Sequence, residues 1–206
     1  MSARRLPRRH GMALFVATAL LVADGIHAQD SFGAASAQPP AHQPPSMPSG
    51  GTAETDDFGV APTNRLRPTE QLHGPTPTSI PGGKVITTRQ LMQARPGGQG
   101  NLMLLHAFPS PLHLPDAIPV VPAGRGGSFD DAVQREFGRY LQQATGGDTS
   151  RMLVFYCQGV QCWASYNASL RAIHLGYRNV HWYRGGLDAW QQAGLPIQDG
   201  SSQGRQ

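Results

Sequence analysis

Apolar and polar positions change their pattern twice along this chain. An apolar run from Met12 to Ala23 follows a basic start, apolar residues are then sparse from Gln29 to about Ile80, and beyond Lys84 short apolar runs alternate with helical spacing. The third region carries the fold. Val85 and Ile86 predict a short edge strand, and Thr87 followed three positions on by Gln90 is a capping-box signal for a helix through Arg95, stopped by Pro96-Gly97-Gly98. Leu102 to Leu105 is a continuous apolar run, suited to a strand covered on both faces. Ser128 with Asp131 three on is a second capping signal. Phe129, Val133, Phe137, Tyr140 and Leu141 then mark one face of a helix that ends at Gly146-Gly147, a stripe that reads as core packing. Leu153 to Tyr156 predicts a buried strand, Tyr166, Leu170 and Ile173 one face of a helix from Trp163 to His174, Asn179 to Tyr183 a strand, and Leu187 to about Ala193 a last helix. Strands alternating with helices over this length imply α/β architecture, a parallel sheet flanked by helices.

The first two regions read differently. Arg4, Arg5, Arg8 and Arg9 ahead of the apolar run, with Ile26-His27-Ala28 offering a small residue for cleavage, form the pattern of a secretory signal peptide over residues 1–28. The run is too short for a membrane span, so no stable span is expected after cleavage. Residues 29–83 hold ten of the eighteen prolines and few large apolar residues, the composition of a disordered Pro-rich linker. Composition matters mainly through charge. Without the leader's four arginines and Asp24 the formal charge falls from +4 to +1, so the basic balance belongs to the export signal and no nucleic-acid partner is implied.

Both cysteines of the chain, Cys157 and Cys162, fall in the loop between the Leu153–Tyr156 strand and the following helix. Ligands of such sheets bind at the carboxyl ends of the strands, where Cys157 stands. A loop that climbs into a helix turns successive N–H groups inward at the positive end of the helix dipole, which stabilises a thiolate and lowers the thiol pKa. Two cysteines with scattered histidines do not reach a zinc-ligand pattern, and no cofactor is expected. His106 reads as an ordinary strand-end histidine, Trp182 and Trp190 as core, and Arg184 as either a turn residue or a charge near the loop.

The text around this loop is more specific than the two cysteines. Tyr166 to Ala172, Leu175 to Val180, Trp182 to Trp190 and Ala193-Gly194-Leu195-Pro196 resemble the C-terminal half of a rhodanese domain, and His113-Leu114-Pro115-Asp116-Ala117 resembles that family's His-Ile-Pro-Gly-Ala turn. The resemblance implies a rhodanese-like parallel sheet over residues 84–198, with 199–206 a flexible tail. It implies Cys157 as the persulfide carrier and the loop Gln158, Gly159, Val160, Gln161 and Trp163 as the anion-binding surround. Many sulfurtransferases of the family carry arginine at the sixth loop position, where this chain has Cys162. Phosphatases of the same architecture close a longer loop with arginine, so that chemistry is disfavoured.

Residues 58–198, with Cys162-Trp163, also resemble a narrower group, the PQQ-dependent catabolism-associated CXXCW motif proteins. That group implies an exported, periplasmic protein working beside a PQQ-dependent dehydrogenase system. Three functions follow as expectations: sulfur transfer from a small sulfur-donor anion through a Cys157 persulfide, thiol-disulfide exchange with a protein thiol through Cys157 and Cys162, or a non-catalytic binding module.

Overall fold

Alternating side chains make the central strands two-faced, and each face is covered by a different pair of helices. The computed structural model describes residues 53–95 and 102–200. The expected leader, the first part of the expected linker, the Pro96-Gly97-Gly98 stop and the end of the tail lie outside them. In chain order the strands are β1 (Lys84–Val85), β2 (Leu102–His106), β3 (Leu112–His113), β4 (Ile118–Pro119), β5 (Met152–Tyr156), β6 (Val180–Tyr183) and β7 (Gln198–Asp199); the helices are α1 (Thr88–Ala94), α2 (Ala132–Thr145), α3 (Ala164–His174) and α4 (Gly186–Gln192). Five strands form one parallel sheet in the order β1-β6-β5-β2-β4, with β5 at its centre.

From β5, Leu153, Phe155 and Cys157 join Met103, Leu105 and the α2 and α3 residues Phe137, Leu141, Ala168 and Ala172 in one core. The alternate residues Val154 and Tyr156 join Leu91 of α1 and Leu187 and Trp190 of α4 in the other. This is the expected α/β sheet between helices. The capping box at Thr87 and Gln90 is present, and α1 ends one residue early, at Ala94. The second capping signal is displaced. Asp131 itself caps α2, accepting from the Gln134 N–H, and Phe129 stands ahead of the helix, stacked on His174 at 4.4 Å. Asp116 has φ 62°, a left-handed turn that an aspartate tolerates.

Two segment boundaries differ from the sequence reading. Residues 53–83, expected as disordered linker, lie as a strap over α3 and the cysteine loop. Val60, Leu66, Leu72 and Ile80 pack against Trp163, Tyr166, Leu170 and Trp182. The Tyr166 hydroxyl donates to the Thr63 carbonyl at 2.7 Å and accepts from the Thr63 N–H at 2.9 Å, and Asn167 pairs with both backbone groups of Arg67 at 2.8 and 2.9 Å. Covered on both sides, α3 has nine of its eleven residues buried, where helical periodicity alone indicates one apolar face. Composition misleads here because a few apolar residues suffice when the partner surface supplies hydrogen bonds. At the other end, residues 199 and 200 belong to the fold: β7 pairs antiparallel with β3, and the Gly200 N–H donates to the Pro111 carbonyl at 2.8 Å.

Candidate functional site

Cys157 follows directly on β5, and its burial is a consequence of that strand's central place: it is 1 % exposed. Cys162 precedes Trp163, the N-cap of α3, and is 4 % exposed. The two are joined by a disulfide, with their Cα atoms 6.2 Å apart. This is within the span a disulfide bridges, a separation the sequence left open.

The loop between them is held from outside by its carbonyls. The Cys157 carbonyl accepts from the Leu187 N–H at 3.0 Å and that of Gln158 from the Asp188 N–H at 2.8 Å, both at the start of α4. On the other side the Val160 carbonyl accepts from the Thr76 N–H and hydroxyl at 3.1 and 2.6 Å, and that of Gln161 from the Gly74 N–H at 3.0 Å. Because C=O and N–H point oppositely in a trans peptide, these anchors turn the N–H groups of Gln158 and Gly159 away from α4 and that of Gln161 away from the strap. The strap is thus part of the cradle. Two further loop amides are engaged: Cys162 N–H donates to the Gly159 carbonyl at 3.0 Å and Trp163 N–H to the Leu72 carbonyl at 2.9 Å.

Glycine is required at one place for close approach and is closely faced at a second. Gly186 has φ 57°, and a Cβ there would strike the Cys157 carbonyl oxygen. The turn that lets α4 grip the loop therefore needs it. A Cβ on Gly159 would strike the Asp188 carboxylate, which also accepts from Gln158 Nε2 at 2.6 Å. The φ of Gly159 is not positive, and a Cβ there would require the exposed Asp188 side chain to shift.

Arg184 and Trp163 stand differently from their sequence reading, while His106 keeps its place as a strand-end histidine, the last residue of β2. Arg184 neither faces solvent nor serves the loop: it is 2 % exposed, donating through Nε to the Thr76 hydroxyl at 3.1 Å, through Nη2 to the Thr76 carbonyl at 3.0 Å, and through Nη1 to the Glu54 carbonyl at 2.8 Å. It clamps the strap. Glu54 in turn accepts from the N–H and hydroxyl of Thr88, at the start of α1. His106 is buried and stacked on Tyr156 at 4.7 Å, with Nε2 unpartnered. Burial, and then the neighbouring His113, push its pKa down to about 4, so it is neutral at ordinary pH. Trp163 serves packing and anchoring: its indole donates to the Pro75 carbonyl at 3.1 Å, and the Arg67 guanidinium lies over its ring at 4.7 Å.

A cleft of about 230 Å³ reaches Cys162. The strap residues Leu72 and His73 form one wall, while Phe108 and Arg125 stand among the residues of the others. Cys157 is not among its lining residues. No local signal in the sequence marks His73 or Arg125, since the cleft exists only because the strap is seated. Among the described residues no cluster of histidine, cysteine and acidic side chains suits a metal ion, and no helix is long and apolar enough to cross a membrane.

The chain is similar to several solved structures. A thiosulfate sulfurtransferase from Pseudomonas aeruginosa is 17 % identical, with 57 % of this chain and 20 % of that one covered and a TM-score of 0.44. The chain thus spans about a fifth of that protein's length. A protein from Bacillus halodurans is 16 % identical over 57 % of this chain and 77 % of its own, with a TM-score of 0.43. A yeast protein tyrosine phosphatase of the rhodanese family is 19 % identical over 55 % and 87 %, with a TM-score of 0.40. No curated protein matches the chain. The family model described as Rhodanese-like domain matches residues 106–193, from the end of β2 to just past α4.

Proposed function

We propose that the domain moves sulfur through its cysteine pair, with the disulfide between Cys157 and Cys162 as the resting, oxidised state. The observation that carries this reading is the pair itself, joined across the loop at the carboxyl end of the central strand and just ahead of the positive end of α3. A thiol reductant opens the disulfide. Cys157 thiolate, stabilised by the free loop N–H groups and the helix end, then attacks the outer sulfur of a donor such as thiosulfate; its S–S bond breaks, sulfite leaves, and Cys157 carries a persulfide. Cys162 thiol then attacks the inner sulfur of that persulfide, forming the disulfide again and releasing hydrosulfide, which takes up the thiol proton. Without arginine at position 162, the donor meets no fixed charge from the loop itself, and turnover through this route is expected to be slow.

Intact-mass analysis of the reduced protein with thiosulfate tests the reading. Sulfur transfer predicts a gain of one sulfur atom in Cys162→Ser, which cannot resolve it, and none in Cys157→Ser. If Cys162→Ser gains no mass, sulfur transfer is wrong. In that case the same bond favours thiol-disulfide exchange without sulfur carriage, read as a reversible two-thiol couple lost in either single variant.

The setting we propose is the periplasm, beside a PQQ-dependent dehydrogenase system. Support comes from the leader pattern over residues 1–28 and from the resemblance of residues 58–198 to the PQQ-dependent catabolism-associated group. Osmotic-shock fractionation of cells making the full chain should release a shortened protein. Retention of the full-length chain in the cytoplasm would contradict export.

A further inference from the structure

We propose that the disulfide is opened at Cys162, by a small anionic thiol that enters the cleft between the strap and the wall carrying Phe108 and Arg125. This rests on the reading of the pair as a working couple and names the sulfur and the reductant of its reopening step.

Thiol-disulfide exchange is an in-line attack, so the sulfur that can be approached decides the product. Cys162 lines the cleft and Cys157 does not. The reason lies in the strap. Residues 72–76 run antiparallel along loop residues 160–163 and cover that side of the loop, and the start of α4 holds the Cys157 end through the Cys157 and Gln158 carbonyls. The cleft offers an approach over Leu72 and His73, onto Cys162. The thiolate of the incoming molecule forms a bond to Cys162 Sγ, the disulfide breaks, and Cys157 leaves as a thiolate. No other reactant is needed: one disulfide is exchanged for another. Cys157 is a suitable leaving group because the loop N–H groups left free by α4 and the strap, with the positive end of α3, favour the anion. The product carries a free Cys157 and a mixed disulfide on Cys162; a second molecule of the same thiol then attacks the small molecule's sulfur in that mixed disulfide, leaving as the small disulfide and freeing Cys162 as the thiol that resolves the persulfide.

The cleft also indicates what enters. At about 230 Å³ it falls below the roughly 300 Å³ at which pockets begin to hold drug-sized ligands, so it fits a small molecule. Its lining contains no acidic residue, and Arg125, an exposed cation, stands with His73 and the apolar Leu72 and Phe108. A short thiol bearing a carboxylate matches that lining; a cationic thiol does not.

The test uses the oxidised wild-type protein with thioglycolate, 2-mercaptoethanol and cysteamine, each rate divided by that thiol's rate against the neutral hydroxyethyl disulfide. Reactions are stopped early with N-ethylmaleimide, and fragment masses place the adducts. Expected is the thioglycolate adduct on Cys162 with the maleimide on Cys157, and a normalised order of thioglycolate, then 2-mercaptoethanol, then cysteamine. Arg125→Ala should lower the thioglycolate preference about threefold to fivefold while leaving the adduct position unchanged. The reverse adduct pattern would overturn the assignment of Cys162, and a normalised preference for cysteamine would overturn the anionic class. Sulfur uptake is scored separately, by mass gain of reduced Cys162→Ser from thiosulfate, so failure of sulfur transfer is distinguishable from failure of the entry site.

Discussion

His106 illustrates how a single side chain ties packing to pH. Its neutral form is stacked on Tyr156 at the end of β2, and its pKa is pushed down to about 4 from an ordinary value near 6.5. The unfolded chain therefore binds a proton at this site before the folded one does. Stability is fully present above about pH 6.5 and is lost as pH falls toward 4, by about 3 kcal/mol at most. His106→Phe keeps the stack and removes the titration. Urea midpoints across pH 4 to 7 should flatten in the variant; an unchanged slope would assign the acid sensitivity elsewhere. Asp131 acts at lower pH. Burial alone would raise its carboxyl, but the hydrogen bond from Arg171, those from the Gln134 and Ser128 N–H groups and the Arg171 charge outweigh it and bring it to about 2. The pairing of Ser128 with Asp131 was signalled in the sequence, but the Tyr156 stack and the Arg171 bond were not, because those partners lie far along the chain.

At the scale of elements the strap decides most. It is seated by Arg184, by Asn167 and Tyr166 of α3, and by its ladder on the cysteine loop. Arg184→Ala removes a buried guanidinium and leaves the Thr76 and Glu54 carbonyls without that donor, at a cost of about 2 to 4 kcal/mol. Seated, the strap should resist trypsin at Arg65; in Arg184→Ala that bond should be cut at least as fast as the protein's exposed sites, while the sheet and its helices persist by circular dichroism. Equal resistance in the variant would show that Arg184 is not the clamp. The helices and strands themselves were legible. The Thr87 and Gln90 box, the apolar run of β2 and the spacing of α3 are local signals, and they appear with ends shifted by a residue or so. The strap was not legible, since its order comes from partners 100 and more residues away.

For the whole molecule the disulfide is a modest staple on a sheet that stands without it. Closing so short a loop restricts the unfolded chain little, worth roughly 2 kcal/mol. The five parallel strands and both cores involve residues far outside the loop. Reduction should therefore lower the urea midpoint by about that stability and leave one cooperative transition. Unfolding on reduction at neutral pH would make the bond structural, and would count against a pair that cycles in function.

The sequence by itself determined the order of β1, α1, β2, α2, β5, α3, β6 and α4, the covering of the sheet on both faces and the place of Cys157 at the end of β5. These follow from side-chain period, caps and turn residues, which act over a few positions. Only the tertiary structure decided that residues 53–83 belong to the site, that Arg184 holds them and that the cleft reaches Cys162. Those features arise where segments distant in the chain meet. Thr76 and Arg184 are 108 residues apart, and no local pattern states that a threonine in a proline-rich stretch will donate to the Val160 carbonyl and accept from a buried arginine.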